Sequence, residues 1–268
     1  MTLSGNDIPV RENLRLFRQI PMLPFSYRAR ANFAARGLDP RLVPVYTNGM
    51  ATQDYSTFFL RNSKAGCTTI AKLIFEMELG QAPQTRVHRT RNGLPMGFRF
   101  WREFHEAVHR PATFRFTFVR EPVKRARSAF FDFFVDRKNP GLYKHDKPMQ
   151  RRGYVPGGDI QKNFDVFVAY VEESMELRGL YCDSHFRPQH LNLGDGAISY
   201  DFIGKLENYE ADIAEAFARM GRPDFITSRQ KAEMANRSTT KADLVITPEA
   251  RARLERIYAR DYELYYPS

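Results

Sequence analysis

Phe58-Phe59-Leu60-Arg61-Asn62-Ser63-Lys64-Ala65-Gly66-Cys67-Thr68-Thr69-Ile70 is the stretch on which the reading of this chain turns. An apolar run ends at Leu60, a loop of small and polar residues follows, and apolar residues then recur at Ile70, Leu73, Ile74 and Met77, the spacing of one helix face. The pattern is a strand, a tight turn and a helix start, with Lys64 inside the turn and the hydroxyls of Thr68 and Thr69 on the first helical turn. Successive backbone N–H groups, the positive end of a helix and one ammonium then converge on one small volume, which suits a phosphate or a similar anion. Two common anion loops do not fit. A Walker A loop places Lys after its last Gly and directly before Ser or Thr, whereas Lys64 precedes Gly66, and the pair Gly204-Lys205 runs on into Leu206-Glu207. A phosphatase loop needs Arg six positions after its Cys, where this chain has Leu73 after Cys67.

A second segment points to a second anion. Residues 113 to 119, Thr-Phe-Arg-Phe-Thr-Phe-Val, alternate in β-branched and aromatic types and predict a strand. It runs into Arg120-Glu121-Pro122-Val123-Lys124-Arg125-Ala126-Arg127-Ser128, where Pro122 suits the first turn of a helix. Arg120 then stands at the carboxyl end of a strand, where ligands of open α/β sheets collect, and Ser128 falls on the second helical turn. A guanidinium fork and a hydroxyl are suited to a second phosphate.

Together these segments resemble the sulfotransferases, in particular the carbohydrate sulfotransferases related to the chondroitin and HNK-1 enzymes. In that family a Lys-containing loop binds the 5′-phosphosulfate of 3′-phosphoadenosine 5′-phosphosulfate (PAPS), and an R-[DE]-P-x-x-R-x-x-S motif binds its 3′-phosphate. Arg120, Glu121, Pro122, Arg125 and Ser128 match the second motif position for position. The segment from Cys182 to Gln189, Cys-Asp-Ser-His-Phe-Arg-Pro-Gln, is similar to the family's His-aromatic-x-Pro-Gln segment. Tyr200 to Asp212 resembles its Tyr-Asp-aliphatic-Gly-Lys-x-Glu block, and Tyr258, Asp261 and Tyr262 its C-terminal Tyr-x-x-Asp-aromatic signature. The matches run in consistent order from about residue 55 to 266.

The resemblance implies a P-loop-like α/β fold, three-layered, with a central mainly parallel sheet, and PAPS as sulfuryl donor without a metal. It implies that Lys64 stabilises charge growing on the leaving phosphate, that Ser63 and the loop from Ala65 through Gly66 and Cys67 to Thr68 and Thr69 hold the 5′-phosphate, and that Arg120 and Ser128, with Arg125 beside them, hold the 3′-phosphate. Relatives place a base a little over twenty residues beyond the loop Lys, which gives His88; His185 is the alternative, with Arg187 and Gln189 as polar contacts. Histidine suits proton abstraction near neutrality. Arg237, in Asn236-Arg237-Ser238-Thr239, falls where relatives close a loop over the nucleotide. Cys67 is expected to pack. The implied acceptor is a hydroxyl of a carbohydrate or glycolipid, with an acidic acceptor favoured by charge; small alcohols and phenols stay open.

Bulk properties permit this. A chain of 268 residues can bury one α/β domain, with residues 1–54 as an irregular wrap, 55–266 as the core and 136–162 as a polar insert serving as lid or acceptor groove. The net charge of +10 favours a polyanionic partner, but the basic residues are spread over many segments and no nucleic-acid-binding signature stands out. No apolar run is long enough to cross a bilayer, and two cysteines suggest no disulfide framework, so a cytoplasmic enzyme without a membrane anchor, at most touching a membrane peripherally, is the expectation. Further elements are expected as a strand at 56–61 with a helix closed by Gly80, a strand near 86–88, and helices at 98–109, 163–177, 208–220 and 248–264, the last started by Thr247 and Pro248.

One motif competes. His105-Glu106-Ala107-Val108-His109 fits the H-E-x-x-H zinc site of metalloproteases. The continuation toward a third histidine fails, since Ala112 and Arg115 occupy the Gly and His positions, and Pro111 ends the helix.

Overall fold

The computed structural model describes residues 35–81, 93–226 and 244–267, with the single positions 21, 24, 33 and 87. Helix α1 (Leu42–Asn48) leads directly into strand β1 (Gly49–Ala51), and β2 (Thr57–Leu60) is followed by α2 (Cys67–Leu79). A short turn of 3-10 helix opens α3 (Trp101–His109); then come β3 (Phe114–Val119) and α4 (Pro122–Phe130), which continues as a π turn over Phe131–Val135. Next in order are α5 (Asp146–Gln150), α6 (Ile160–Arg178), α7 (Gln189–Asn192), β4 (Phe202–Lys205) and α8 (Tyr209–Arg219), and the chain finishes with α9 (Pro248–Ile257) and α10 (Ala259–Tyr265).

The four strands form one sheet in the order β1-β2-β3-β4. β1 pairs antiparallel with β2, while β2, β3 and β4 are parallel, with Phe59 opposite Phe116 and Phe116 opposite Phe202. Alternation in β3 puts Phe114, Phe116 and Phe118 on one face, where Phe116 stacks on Phe59 with ring centroids 4.8 Å apart. That face packs with Ile70, Leu73 and Ile74 of α2 and Ile213 and Phe217 of α8 in one apolar core. Gly204 in β4 is required by close packing: a Cβ there would lie 2.6 Å from the Phe118 ring.

The described residues gather into two compact units. One holds 35–120 and 189–226 and contains the whole sheet; the other holds 121–188 and 244–267. The second has its own core, built on Phe130, Phe131, Phe133 and Phe134 after Pro122, Phe164, Phe167 and Val171 of α6, Phe186, and Leu254 and Tyr258 near the C-terminus.

Most expected elements are present. Pro122 stands at the first position of α4, Thr247 caps α9 through its hydroxyl on the Ala250 N–H, and Gly80, at φ 68°, ends α2 by donating to Glu76 O. Four expectations need correction. The helix expected at 163–177 begins at Ile160, because Asp159 caps it by accepting from the Lys162 N–H. The helix expected at 248–264 breaks at Tyr258, whose hydroxyl is held by Phe186 O at 2.7 Å. Residues 49–51, expected to be irregular, form an edge strand, and 202–205 form the fourth. The polar insert carries helix at 142–144 and in α5, and it is fastened by Tyr154, whose hydroxyl donates to Phe134 O, and by Asn163, whose amide binds both backbone groups of Val155. Apart from Val87, the strand expected near 86–88 lies outside the described residues. Among the described residues no helix is long and apolar enough to cross a membrane.

Candidate active site

Because β2, β3 and β4 are parallel, Leu60, Val119 and Lys205 end at the same edge of the sheet, so the 61–66 loop and Arg120 both leave from that edge. The loop is bent by left-handed backbone at Lys64, φ 67°, and Gly66, φ 78°. Glycine adopts this region at little cost, whereas a lysine held there stores strain of about 1 kcal/mol, the kind found at ligand clamps. Gly66 is the N-cap residue of α2 and supplies no side chain to its first N–H groups. Lys64 is half-buried and Ala65 buried. Behind the loop, Arg61 is only 8% exposed, with Nε donating to Asn48 O at 3.1 Å. Burial pushes its guanidinium below the ordinary value, a cost that negative charge arriving at the loop would offset.

The two strand ends are tied together by a buried amide cluster. Gln189 Nε2 donates to Arg120 O at 2.8 Å, and its Oε1 accepts from Arg120 N at 2.9 Å, so one side chain satisfies both backbone groups of Arg120. The same Oε1 accepts from Asn62 Nδ2 at 2.9 Å, and Asn62 also donates to Phe118 O at 3.0 Å. Asn192 Nδ2 donates to Asn62 Oδ1 at 3.2 Å. All three amides are at most 2% exposed. Sequence reasoning named Gln189 only as a polar contact and missed Asn62 and Asn192, whose signal was no more than an asparagine beside Ser63 and another three residues after Gln189.

In the other unit, Glu121 is the N-cap residue of α4: its carboxylate accepts from the Val123 and Lys124 N–H groups at 3.1 and 2.7 Å and from the Tyr262 hydroxyl. The acidic-Pro pair of the motif is thus a helix start, and Tyr262 of the C-terminal signature holds it. Ser128 is half-buried on the second turn. Arg125, 1% exposed, donates from Nη1 to Arg187 O at 2.9 Å and from Nη2 to Ser184 O at 2.8 Å. Those two bonds tie the middle arginine of the motif to the backbone of the 184–187 turn. Arg187 is likewise turned inward, donating to Leu180 O.

His185 sits in that turn, with Nδ1 2.7 Å from Asp183 Oδ1, and Asp183 Oδ2 lies 3.3 Å from His145 Nε2. His88 and Arg237 lie outside the described residues. The competing zinc motif is turned to other uses: His105 Nδ1 is 2.7 Å from the Tyr46 hydroxyl and His109 Nδ1 is 2.7 Å from His105 O. Among the described residues no cluster of three His, Cys, Asp or Glu side chains is arranged to hold a metal.

A mainly parallel sheet with a strained Lys loop after one strand and an Arg-Glu-Pro junction after the next defines a P-loop-like α/β fold. The chain belongs to the Sulfotransferase family, whose family model matches residues 49–267. It is 25% identical to carbohydrate sulfotransferase 11 of Mus musculus over 173 residues, 60% of this chain and 49% of that protein. It is 26% identical to carbohydrate sulfotransferase 10 of Danio rerio over 241 residues (80% and 64%), and 28% identical to carbohydrate sulfotransferase 14 of Danio rerio over 118 residues (42% and 31%). The chain spans about half the length of the mouse relative and less than two thirds of either zebrafish one. No solved structure matches it.

Proposed function

We propose that the chain transfers the sulfuryl group of PAPS to a hydroxyl of a carbohydrate acceptor. The observation that carries this reading is the pair of cationic junctions, Lys64 and Arg120, at one sheet edge and tied by Gln189 and Asn62, in a chain of this family. The residues suit the donor: left-handed backbone at Lys64 and Gly66, the α2 N-terminus without a side-chain cap, and a second cation one strand away. When bound, PAPS supplies the sulfuryl group and a stable leaving group, 3′-phosphoadenosine 5′-phosphate (PAP). Ser63, Ala65, Gly66, Cys67, Thr68 and Thr69 would hold its 5′-phosphate, and the Lys64 ammonium would neutralise charge developing on the leaving oxygen. By the family motif, Arg120 and Ser128, with Arg125 beside them, would hold the 3′-phosphate, and Arg125 also keeps the 184–187 turn in place. Positive charge across the chain favours an acidic saccharide or the saccharide of an anionic glycolipid as acceptor. Both cysteines are free thiols, which suits a reducing compartment.

Calorimetry with PAP, AMP and ATP tests the donor before the acceptor is known. PAP is expected to bind at least tenfold more tightly than AMP, because only PAP engages both junctions, a gain of about 1.4 kcal/mol or more. Equal affinity for PAP and AMP would remove the proposal.

A further inference from the structure

The polar insert lies wholly in the unit that holds α4 and contributes none of the donor-site residues. Its inner side is fixed. His145, 3% exposed, is bonded through Nδ1 to the Tyr170 hydroxyl at 2.8 Å and through Nε2 to Asp183 at 3.3 Å, and Pro148, Met149 and Tyr154 are also buried. The Tyr154 hydroxyl donates to Phe134 O, which brings the chain at 155 back to the chain at 135. Arg137 donates twice to Asp146, at 3.1 and 3.2 Å. Segments 135–138, 143–147 and 154–155 are therefore pinned together as one surface.

The outer side is basic and apolar at once. Lys144, Lys147 and Arg151 recur at intervals of three and four through the helical turns, so they share an exposed face while His145, Pro148 and Met149 share a buried one. From Val135 to Gly158 the chain holds six Lys and Arg against two Asp and no Glu. Two of the six are turned to the fold, Arg152 to Glu173 at 2.9 Å and Arg137 to Asp146. The other four, Lys138, Lys144, Lys147 and Arg151, are exposed. Among them stand Tyr143, 75% exposed, Val155, 58%, and Val135, 39%. Lys144 Nζ lies 5.6 Å from the centre of the Tyr143 ring.

A single exposed apolar side chain is ordinary, but three on one pinned surface among four cations have the composition of a segment that lies at a membrane interface. An aromatic ring and aliphatic groups suit the headgroup boundary, and lysine and arginine suit anionic lipid. A polyanionic saccharide would match the cations and leave both valines in water. We infer that this face of the insert docks on an anionic lipid surface, with Lys138, Lys144, Lys147 and Arg151 on the headgroups and Tyr143, Val135 and Val155 at the boundary beneath them. The inference concerns this unit alone and does not depend on the transferase reading.

Co-sedimentation of the full chain with vesicles tests it. The chain is expected to bind phosphatidylcholine vesicles containing about one third phosphatidylserine, to ignore pure phosphatidylcholine, and to be released at high salt. Lys144→Gln/Lys147→Gln/Arg151→Gln is expected to lower partitioning about 100-fold, roughly fivefold per charge. Arg102→Gln/Arg110→Gln/Arg222→Gln removes the same charge from exposed positions of the other unit and should change partitioning less than about threefold. Tyr143→Ser/Val155→Ser keeps every charge and should still cost about tenfold. Urea midpoints equal to that of the wild type show that each variant is folded. Equal losses in the two charge variants would mean that overall charge binds the vesicles and would overturn the site, as would no vesicle binding by the wild-type chain. Insert variants that lose binding to soluble chondroitin sulfate while keeping vesicle binding would overturn the lipid assignment in favour of a polysaccharide.

Discussion

Lys64 combines two properties that bear on one another: a left-handed backbone and a half-buried ammonium in a loop whose neighbours are small. Its strain is tolerated because the loop is fixed at both ends, by Asn62 on one side and by α2 on the other. Lys64→Ala is expected to cut kcat by at least about 100-fold, the loss typical of removing one charge-stabilising donor, with a smaller effect on PAP affinity. A kcat within threefold of wild type in the transfer assay would take Lys64 out of the chemistry. Arg120→Ala belongs to binding: loss of a charge-assisted contact is expected to weaken PAP by about 10- to 100-fold in calorimetry. Gln189 acts on both junctions. Gln189→Leu leaves both backbone groups of Arg120 and the Asn62 amide without this partner, so it should cost about 1–3 kcal/mol in urea unfolding and also weaken PAP. Stability lost with PAP affinity unchanged would show that the amide cluster supports the fold without shaping the site.

At the level of elements, the family motifs become pieces of secondary structure with identifiable work. The Arg-Glu-Pro junction is a strand end followed by a capped helix start. The Gly-Lys pair is β4, where Gly204 lies against Phe118 and the Lys205 N–H is accepted by Asp212 at 2.5 Å. Gly204→Ala must displace the ring of Phe118 in the middle of the sheet, so it should destabilise the chain by about 1–3 kcal/mol, read as a lower urea midpoint with unchanged slope. An unchanged midpoint would mean that the ring yields freely. Elements carried by local pattern were legible in the sequence: β2, β3, the start of α4 at Pro122, the end of α2 at Gly80 and the cap of α9 at Thr247. Those made by distant partners were not. β1 is three residues whose strand character comes from pairing with β2 and from a bridge between Met50 and Met96, and the break at Tyr258 comes from a hydroxyl bond to a residue 72 positions away. The same division runs through the candidate site. The Lys64 loop and Arg120 announce themselves by sequence spacing, whereas Asn62 meets Gln189 across 127 positions and Asp183 meets His145 across 38, contacts that no local periodicity encodes.

Across the whole molecule, a net charge of +10 makes acidification doubly unfavourable, since each carboxylate that takes a proton adds to the excess. Besides Asp39, held low by its hydrogen bonds from Arg41, three carboxylates among the described residues are held low in the fold. Asp201 is held by the guanidinium of Arg115, at 2.8 Å; Asp183 and Asp54 are opposed by burial but pulled down by hydrogen bonds, from His145 and His185 in one case and from the Ser56 N–H and the Thr52 hydroxyl in the other. For each group the folded value lies below the unfolded one, so between the two the unfolded chain binds more protons and stability rises with pH. Their contribution is complete above the ordinary carboxylate value, about pH 4, and is lost as pH falls through the depressed folded values, chiefly at Asp183, because solvent screens the exposed Asp201 and Asp54. Urea unfolding of the full chain should therefore show a stability nearly independent of these groups from pH 5 to 7 and a steep fall below about pH 4. Asp183→Asn removes one of the three, and its slope below pH 4 should be shallower than that of the wild type. Identical slopes would mean that Asp183 titrates alike in the folded and unfolded chain, which a carboxylate held between two histidines cannot do.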